Sequence, residues 1–194
     1  MSNYTSEKIK KKIERTIKVH QDSIKLIKKI KIATQEIIDS FSKGGKIIIM
    51  GNGGSATDAS HMAAELVGRY KIERKALPAI SITTDSAIIT AIANDYDFEE
   101  VFTRQCKAVT KDHDIIMIIS TSGNSKNVVK AATEIKKKKL NKIISLTGKS
   151  GGKLDKISDI MINVPSDQTE NIQEVHRTII HTICEIIDFH YAKK

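Results

Sequence analysis

The sequence has little of what stabilises small secreted proteins or stacks against nucleobases. It has no Trp, only two Cys, and an aromatic content of 4%. Cys106 and Cys184 form no C-x-x-C pair and lie in segments with a helical pattern, so we predict reduced thiols that serve as packing residues. The scarcity of aromatic side chains argues against a base-stacking surface, and we expect no nucleic-acid partner.

Long hydrophobic runs are also missing. The apolar run at residues 47–50 is much shorter than the roughly 18 residues that a membrane-spanning helix needs. The first 12 residues are polar and rich in lysine, and no apolar segment follows them, which is unlike a secretory signal. We therefore expect a cytoplasmic protein without a membrane partner.

The length and the charge narrow the class further. A chain of 194 residues fits a single domain spanning residues 1–194, since domains average about 150 residues. A net charge of +9 can attract anions, whether phosphorylated metabolites or nucleic acid. The lysines are spread along the chain, however, and this distribution is typical of solvated helix faces.

Hydrophobic periodicity predicts an α/β fold. Residues 5–42 contain no Pro or Gly and carry isoleucines at helical spacing, which indicates one long or two shorter amphipathic helices. Short runs that are apolar throughout then alternate with helical segments, as in a parallel sheet covered on both faces. The fold class is therefore α/β, doubly wound. The predicted strands are residues 46–50, 79–83, 114–119, 142–146 and 159–164, and the last helix is residues 168–190.

The loop after the first predicted strand is rich in glycine. In open parallel sheets, ligands bind beyond the carboxyl ends of the strands. Residues 51–56 match G-x-G-x-x-A formally, which indicates either close approach of a polar ligand or simply a tight strand-to-helix turn. A dinucleotide site also needs an acid about 20 residues further on. Asp85 is more than 30 residues away, which argues against a nicotinamide cofactor.

The loop after the third predicted strand has the composition of an anion site. Backbone N–H groups and the positive end of a helix dipole attract anions, and this loop adds hydroxyl donors. The sequence has no G-x-x-x-x-G-K-[ST] motif, so a monophosphate is expected rather than a triphosphate. A helix cap alone would explain Ser125 but not the other hydroxyls. The four hydroxyl residues are Ser120, Thr121, Ser122 and Ser125.

A candidate reaction centre lies on the helix after the first loop. His61 and Glu65 are four residues apart and share a helix face, so they can bind a divalent metal or exchange protons. Such pairs are also common on solvated surfaces. The last helix adds Gln173, His176 and His181, of which Gln173 and His181 differ by about 80° around the helix axis. The residues leave open whether this helix meets His61.

Five motifs follow one another along the chain. They are residues 51–56, 61–66, 90–96 and 120–127, and Ile172-Gln173-Glu174 followed by His181. Together they resemble the phosphoheptose isomerases of the sugar isomerase (SIS) domain family. The resemblance implies a flavodoxin-like five-stranded parallel sheet with helices on both faces and an N-terminal helical extension at residues 1–43. It also implies a homotetramer with active sites at subunit interfaces. The implied activity interconverts sedoheptulose 7-phosphate and D-glycero-D-manno-heptose 7-phosphate, the first step of ADP-heptose synthesis.

The resemblance also implies roles for individual residues. Glu65 and His181 would be catalytic, and one Zn²⁺ per subunit would be bound by His61, Glu65, Gln173 and His181. The 7-phosphate would bind at Ser120, Thr121, Ser122 and Ser125. The remaining substrate contacts would be Asn52, Gly53, Gly54, Ser55, Glu65, Arg69, Asn94, Asp95 and Gln173. Many relatives have a basic residue just before the Ile-Gln-Glu motif, where this chain has Glu170 and Asn171.

Two alternatives remain at this point. Some SIS-domain proteins are non-enzymatic adaptors that bind a replication initiator protein, and others isomerise five- or six-carbon sugar phosphates. An adaptor has no need of His61, Glu65, Gln173 and His181 together, so their presence favours an enzyme.

Overall fold

The computed structural model describes residues 3–139 and 141–192 and contains one parallel five-stranded sheet. The predicted domain of residues 1–194 thus includes five residues, at positions 1, 2, 140, 193 and 194, that lie outside the described residues. The strand order is β2-β1-β3-β4-β5 with every pairing parallel, which is the flavodoxin-like order. The predicted α/β class is confirmed. The strands are β1 Ile47–Gly51, β2 Ala79–Ser81, β3 Ile115–Ser120, β4 Lys142–Thr147 and β5 Ile160–Asn163.

Seven α-helices within the described residues surround this sheet. The predicted N-terminal helical segment forms two helices joined by a single 3₁₀ turn, Ile24–Leu26. Among the described residues no helix has both the length and the apolar character to cross a bilayer. The helices are α1 Asn3–Ser23, α2 Ile27–Ser42, α3 Gly54–Val67, α4 Ser86–Asp95, α5 Val101–Val109, α6 Lys126–Lys138 and α7 Thr169–Ala192.

The two faces of the sheet carry separate hydrophobic clusters because successive strand residues point to opposite sides. Ile47 and Ile49 pack with α2, α3 and α7, whereas Ile48 and Met50 pack with α5 and α6. Cys184 belongs to the first cluster and Cys106 to the second. Both are buried free thiols, and burial raises the pKa of each to about 12. Their predicted role as packing residues is confirmed.

The order of the strands fixes where a ligand can bind. β1 and β3 are neighbours, and Gly51 at the end of β1 is in register with Ile119 near the end of β3. The chain continues from β1 into α3 on one face of the sheet and from β3 into α6 on the other. The edge between β1 and β3 is therefore the topological switch point, where open α/β sheets bind ligands. Adjacent strands are about 4.8 Å apart, so the loops that follow β1 and β3 share one rim.

Candidate active site

The loop after β1 makes its turn through glycine. A Cβ on Gly51 would lie 2.7 Å from the carbonyl oxygen of Ser55 and 2.8 Å from that of Ile119, so no larger residue fits there. Gly53 has φ 54, in the left-handed region that glycine tolerates. α3 then begins at Gly54, so its N-terminal N–H groups open onto the rim.

The loop after β3 keeps its hydroxyl groups at the start of α6. The Ser120 and Ser122 hydroxyls accept hydrogen bonds from the backbone N–H groups of Gly123 and Asn124, respectively. Ser125 directly precedes α6, yet its side chain makes no capping hydrogen bond. The capping alternative therefore does not account for Ser125. Thr121 and Ser125 are half-buried, and Ser122 is exposed.

A reciprocal amide pair joins the two loops. Asn52 donates to Asn127 Oδ1 at 2.8 Å, and Asn127 donates back to Asn52 Oδ1 at 3.0 Å. Asn127 is buried in the first turn of α6, so the pair fixes the first loop against the second. Asn127 was not among the predicted site residues. It lies within the motif at residues 120–127, but a contact across 75 positions cannot be read from spacing.

The last helix does meet the helix that carries His61. His61 Nε2 lies 2.8 Å from His181 Nε2 on α7 and 3.3 Å from Glu65 Oε1. The two imidazole planes meet at 64°. All three side chains are partly exposed, so solvent or a ligand can reach them. We call His61, Glu65 and His181 the reaction centre. It joins two helices of one chain, which answers the question that the sequence left open.

Burial and charge shape the electrostatics of the reaction centre. Burial lowers the pKa of His181, and the nearby His61 and Arg177 lower it further, against the opposing effect of Glu65 and Asp58. A neutral imidazole is thereby favoured, which can accept a proton or pass one on. Burial also raises the pKa of Asp58, even though Arg177 donates to its carboxylate at 2.8 Å.

Gln173 reaches the start of α3 from α7. A Cβ on Gly54 would lie 2.6 Å from Gln173 Nε2, so the glycine leaves room for this amide. Beside it lies an open cavity of about 510 Å³, into which α1, α3 and α7 all contribute side chains. Its lining comprises Thr16, His20, Gly54, Thr57, Asp58, Gln173, Glu174 and Arg177.

The donor atoms of the reaction centre are those that zinc prefers. Protein zinc sites combine imidazole nitrogens and carboxylate oxygens, usually in a tetrahedron. Two nitrogens on one tetrahedral zinc lie about 3.3 Å apart, whereas the nitrogens of His61 and His181 are 2.8 Å apart and hydrogen-bonded to each other. Over residues 3–139 and 141–192, no three His, Cys, Asp or Glu side chains are arranged to hold a metal ion as they stand. The donors fit zinc in type, with the imidazoles about half an ångström too close, and the zinc site stays a prediction.

Three predicted substrate contacts pair with residues outside the reaction centre in this chain. Asn94 and Asp95 are exposed at the end of α4 and hydrogen-bond to each other at 2.9 Å. Arg69 is exposed and pairs with Glu73 at 3.5 Å. No hydrogen bond or ion pair connects these three residues to the reaction centre within the described part of the chain. Their roles in substrate binding stay predictions.

His176, the third candidate on the last helix, turns into the core. It is fully buried, and its Nε2 lies 3.2 Å from the carbonyl oxygen of Thr147, to which the neutral ring donates. Asn171 is also buried and accepts a hydrogen bond from Lys12 at 2.9 Å, while Glu170 pairs with the same lysine at 3.4 Å. The two residues that depart from the family pattern therefore hold α1 against α7.

The chain matches known proteins over nearly its whole length. Residues 7–148 match the family model described as the SIS domain. A phosphoheptose isomerase of Helicobacter pylori strain P12 is 48% identical over 187 residues, which cover 94% of this chain and 97% of that protein. The enzyme of the same name from Thermodesulfovibrio yellowstonii is also 48% identical, over 94% of this chain and 90% of its own. The adaptor hypothesis gains no support from these relatives.

Solved structures agree with this assignment. A phosphoheptose isomerase from Francisella tularensis superposes with a TM-score of 0.91 at 37% identity, over 97% of this chain and 100% of that one. The enzyme from Neisseria gonorrhoeae gives a TM-score of 0.89, also at 37% identity, over 95% and 99% of the two chains. The chain therefore belongs to the SIS domain family and, within it, to the phosphoheptose isomerases, which are sugar-phosphate isomerase enzymes.

Proposed function

We propose that this protein interconverts sedoheptulose 7-phosphate and D-glycero-D-manno-heptose 7-phosphate, the first step of ADP-heptose synthesis. The observation that carries the proposal is the convergence of His61, Glu65 and His181, with Nε2–Nε2 and Nε2–Oε1 separations of 2.8 and 3.3 Å. The curated relatives with this name support the choice of substrate.

The loops on the rim would bind the two ends of the substrate. The phosphate would bind at the hydroxyl loop, residues 120–125, where the α6 N-terminus adds N–H donors. Asn52, Gly53, Gly54 and Ser55 would line the sugar, and Asn94 and Asp95 would bind its hydroxyls. A phosphate held away from the reacting carbons contributes binding energy that orients the sugar for reaction.

The isomerisation moves one proton between adjacent carbons through an ene-diol. Glu65 would take the proton from C1 of the ketose and return it to C2. His181 would donate a proton to the C2 oxygen and accept the proton from the C1 hydroxyl, so that no atom is gained or lost. Its lowered pKa favours the neutral ring that can relay protons in both directions.

A zinc ion would bind to His61, Glu65, Gln173 and His181, one per subunit. When bound, it would polarise the substrate carbonyl as a Lewis acid. Binding needs the hydrogen bond between the two imidazoles to open, since their nitrogens are 2.8 Å apart. A homotetramer with active sites between subunits is also part of the proposal, and the cytoplasmic location stays a prediction.

The test is product formation with and without the Glu65 carboxylate. Sedoheptulose 7-phosphate is incubated with the protein, and the aldose is followed by ¹H NMR. We expect the wild type to form the aldose. Glu65→Gln should turn over 10²- to 10⁴-fold more slowly, the usual contribution of general acid–base catalysis, while still binding the sugar phosphate.

A matched control separates the carboxylate's role from a general effect of the substitution. Glu134→Gln makes the same change on α6, where Glu134 pairs only with surface lysines among the described residues. It should leave turnover unchanged. Near-normal turnover by Glu65→Gln would reject its catalytic role, and a wild type that binds but does not convert the ketose would reject the proposed function.

A further inference from the structure

A fully buried ion pair lies beside the reaction centre and contacts the backbone of Glu65. Arg74 Nε donates to Asp188 Oδ1 at 2.9 Å, and neither side chain is exposed to solvent. Every other ion pair found among the described residues has at least one partly exposed partner. Burying two charges is costly unless further hydrogen bonds satisfy them, so the remaining contacts of this pair are informative.

Arg74 binds the end of α3, the helix that carries Glu65. Its guanidinium donates to the carbonyl oxygens of Glu65 at 2.7 Å, Gly68 at 2.8 Å and Lys75 at 3.0 Å. The last carbonyl groups of a helix have no partner within it. Arg74 therefore supplies donors for the end of α3 and fixes the turn on which Glu65 stands.

Asp188 binds the segment that follows α3. Its Oδ2 accepts hydrogen bonds from the backbone N–H groups of Tyr70 at 3.1 Å, Lys71 at 2.7 Å and Ile72 at 3.1 Å. Asp188 stands on α7, seven residues after His181. Seven residues are almost two full turns, so both side chains lie on the same face of α7. The carboxylate thereby fixes the backbone of Tyr70 relative to His181.

The Tyr70 ring packs against the His181 imidazole. The two rings are stacked, with centroids 5.2 Å apart and planes at 21°. His61 approaches the same imidazole at Nε2, with its ring edge-on. The imidazole is thus held both across its face and at one nitrogen, which restricts its rotation.

We propose that the Arg74–Asp188 pair and the Tyr70 ring are positioning residues that hold the His181 imidazole in its reactive orientation beside Glu65. The proposal rests on the proposed function, because His181 has its role there. Arg74 fixes the Glu65 turn, Asp188 fixes the Tyr70 backbone, and the Tyr70 ring fixes the imidazole. A single buried pair thus couples the two proton-transferring groups.

Kinetics of Tyr70 variants test the proposal on the proposed substrate. Tyr70→Leu removes the stacked ring, so kcat should fall at least tenfold while KM stays within twofold, because a rotated imidazole impairs the chemistry and not phosphate binding. Tyr70→Phe keeps the ring and should recover most of this loss. Tyr191→Leu is the matched control and should keep the wild-type kcat. It removes a different tyrosine ring, which lies on α7 and packs on Phe41.

NMR of the free protein gives a readout that needs no turnover. The stacked Tyr70 ring should shift the His181 carbon-bound protons upfield, and Tyr70→Leu should abolish that shift whereas Tyr191→Leu should not. Asp188→Asn should reduce this upfield shift in the molecules that fold. An unchanged His181 shift in Tyr70→Leu, or an abolished shift with unchanged kcat, overturns the positioning role. A wild type without isomerase activity that retains the shift counts against the proposed function and leaves the stacking geometry supported.

Discussion

His176 and His181 lie on the same helix, α7, in opposite environments. They are five positions apart, which is about 140° around the helix axis. His176 is fully buried, whereas His181 reaches the reaction centre. The environment of His176 was not predictable from the sequence, because its ring donates to the carbonyl oxygen of Thr147, 29 positions away.

Burial of His176 makes folding sensitive to acid. Burial lowers the pKa of His176 from 6.5 to about 4, against the opposing effect of the Thr147 carbonyl. The unfolded chain therefore binds this proton first as the pH falls. The stability contribution is complete above pH 6.5 and is lost progressively towards pH 4. Between about pH 7.5 and pH 5 we expect a loss of roughly 2 kcal/mol in the free energy of unfolding.

Urea denaturation at the two pH values measures this loss. His176→Gln removes the titrating ring. It should therefore reduce the loss in the free energy of unfolding between the two pH values by roughly 2 kcal/mol. His113→Asn is the control, because His113 is exposed with φ 70, a conformation that Asn tolerates, and it should retain the wild-type slope. An unchanged slope in His176→Gln would contradict the assignment to this residue.

At the scale of elements, apolar runs and glycines predicted the sheet well. The central strands β1, β3 and β4 lie within one residue of their predicted bounds, because buried parallel strands are apolar throughout. β2 is shorter than predicted and ends at Ser81. The next residues turn towards α3, where the Thr83 hydroxyl lies 3.3 Å from that of Ser60. Edge strands have one pairing partner, so side-chain contacts can end them early.

The meeting of α3 with α7 was not predictable, since no local pattern encodes contacts across more than 100 positions. Substitutions of two glycines test the contact between α3 and α7. Gly54→Ala places a Cβ 2.6 Å from the flexible end of Gln173, whereas Gly51→Ala places one 2.7 Å from a backbone carbonyl. The side chain can move aside and the backbone cannot.

We expect Gly54→Ala to fold normally but to displace the Gln173 amide. Its free energy of unfolding should stay within about 1 kcal/mol of wild type, because Ala has a higher helix propensity than Gly. Its kcat/KM should fall about tenfold. Gly51→Ala should lose about 1–3 kcal/mol or more through overpacking. Chemical denaturation and NMR assays of the two variants make the comparison. Unchanged kcat/KM in Gly54→Ala would argue against Gln173 as a binding residue.

At the scale of the whole molecule, α1 packs on α7 through polar side chains and exposes its isoleucines. Its polar residues face α7: Lys12 donates to Asn171 at 2.9 Å and Thr16 donates to Glu174 at 2.9 Å. Its isoleucines face outward, with Ile9, Ile13 and Ile17 each more than 50% exposed. An apolar face of this kind marks an interaction surface. Since the resemblance implies a homotetramer, we expect a second copy of this chain to cover it.

Charge placed on that face should dissociate the assembly. The double substitution Ile13→Glu and Ile17→Glu puts two carboxylates into an apolar interface, where burying an unpaired charge is costly. Light scattering after size-exclusion chromatography should give the wild type about four times the 21.5 kDa chain mass and the variant a smaller species.

Lys18→Glu, which adds acidic charge at an exposed polar position of the same helix, should remain tetrameric. Because the active sites are proposed to lie between subunits, the dissociated variant should also lose most of its turnover. A wild type that elutes as a monomer, or a tetrameric double variant, would exclude α1 as the interface.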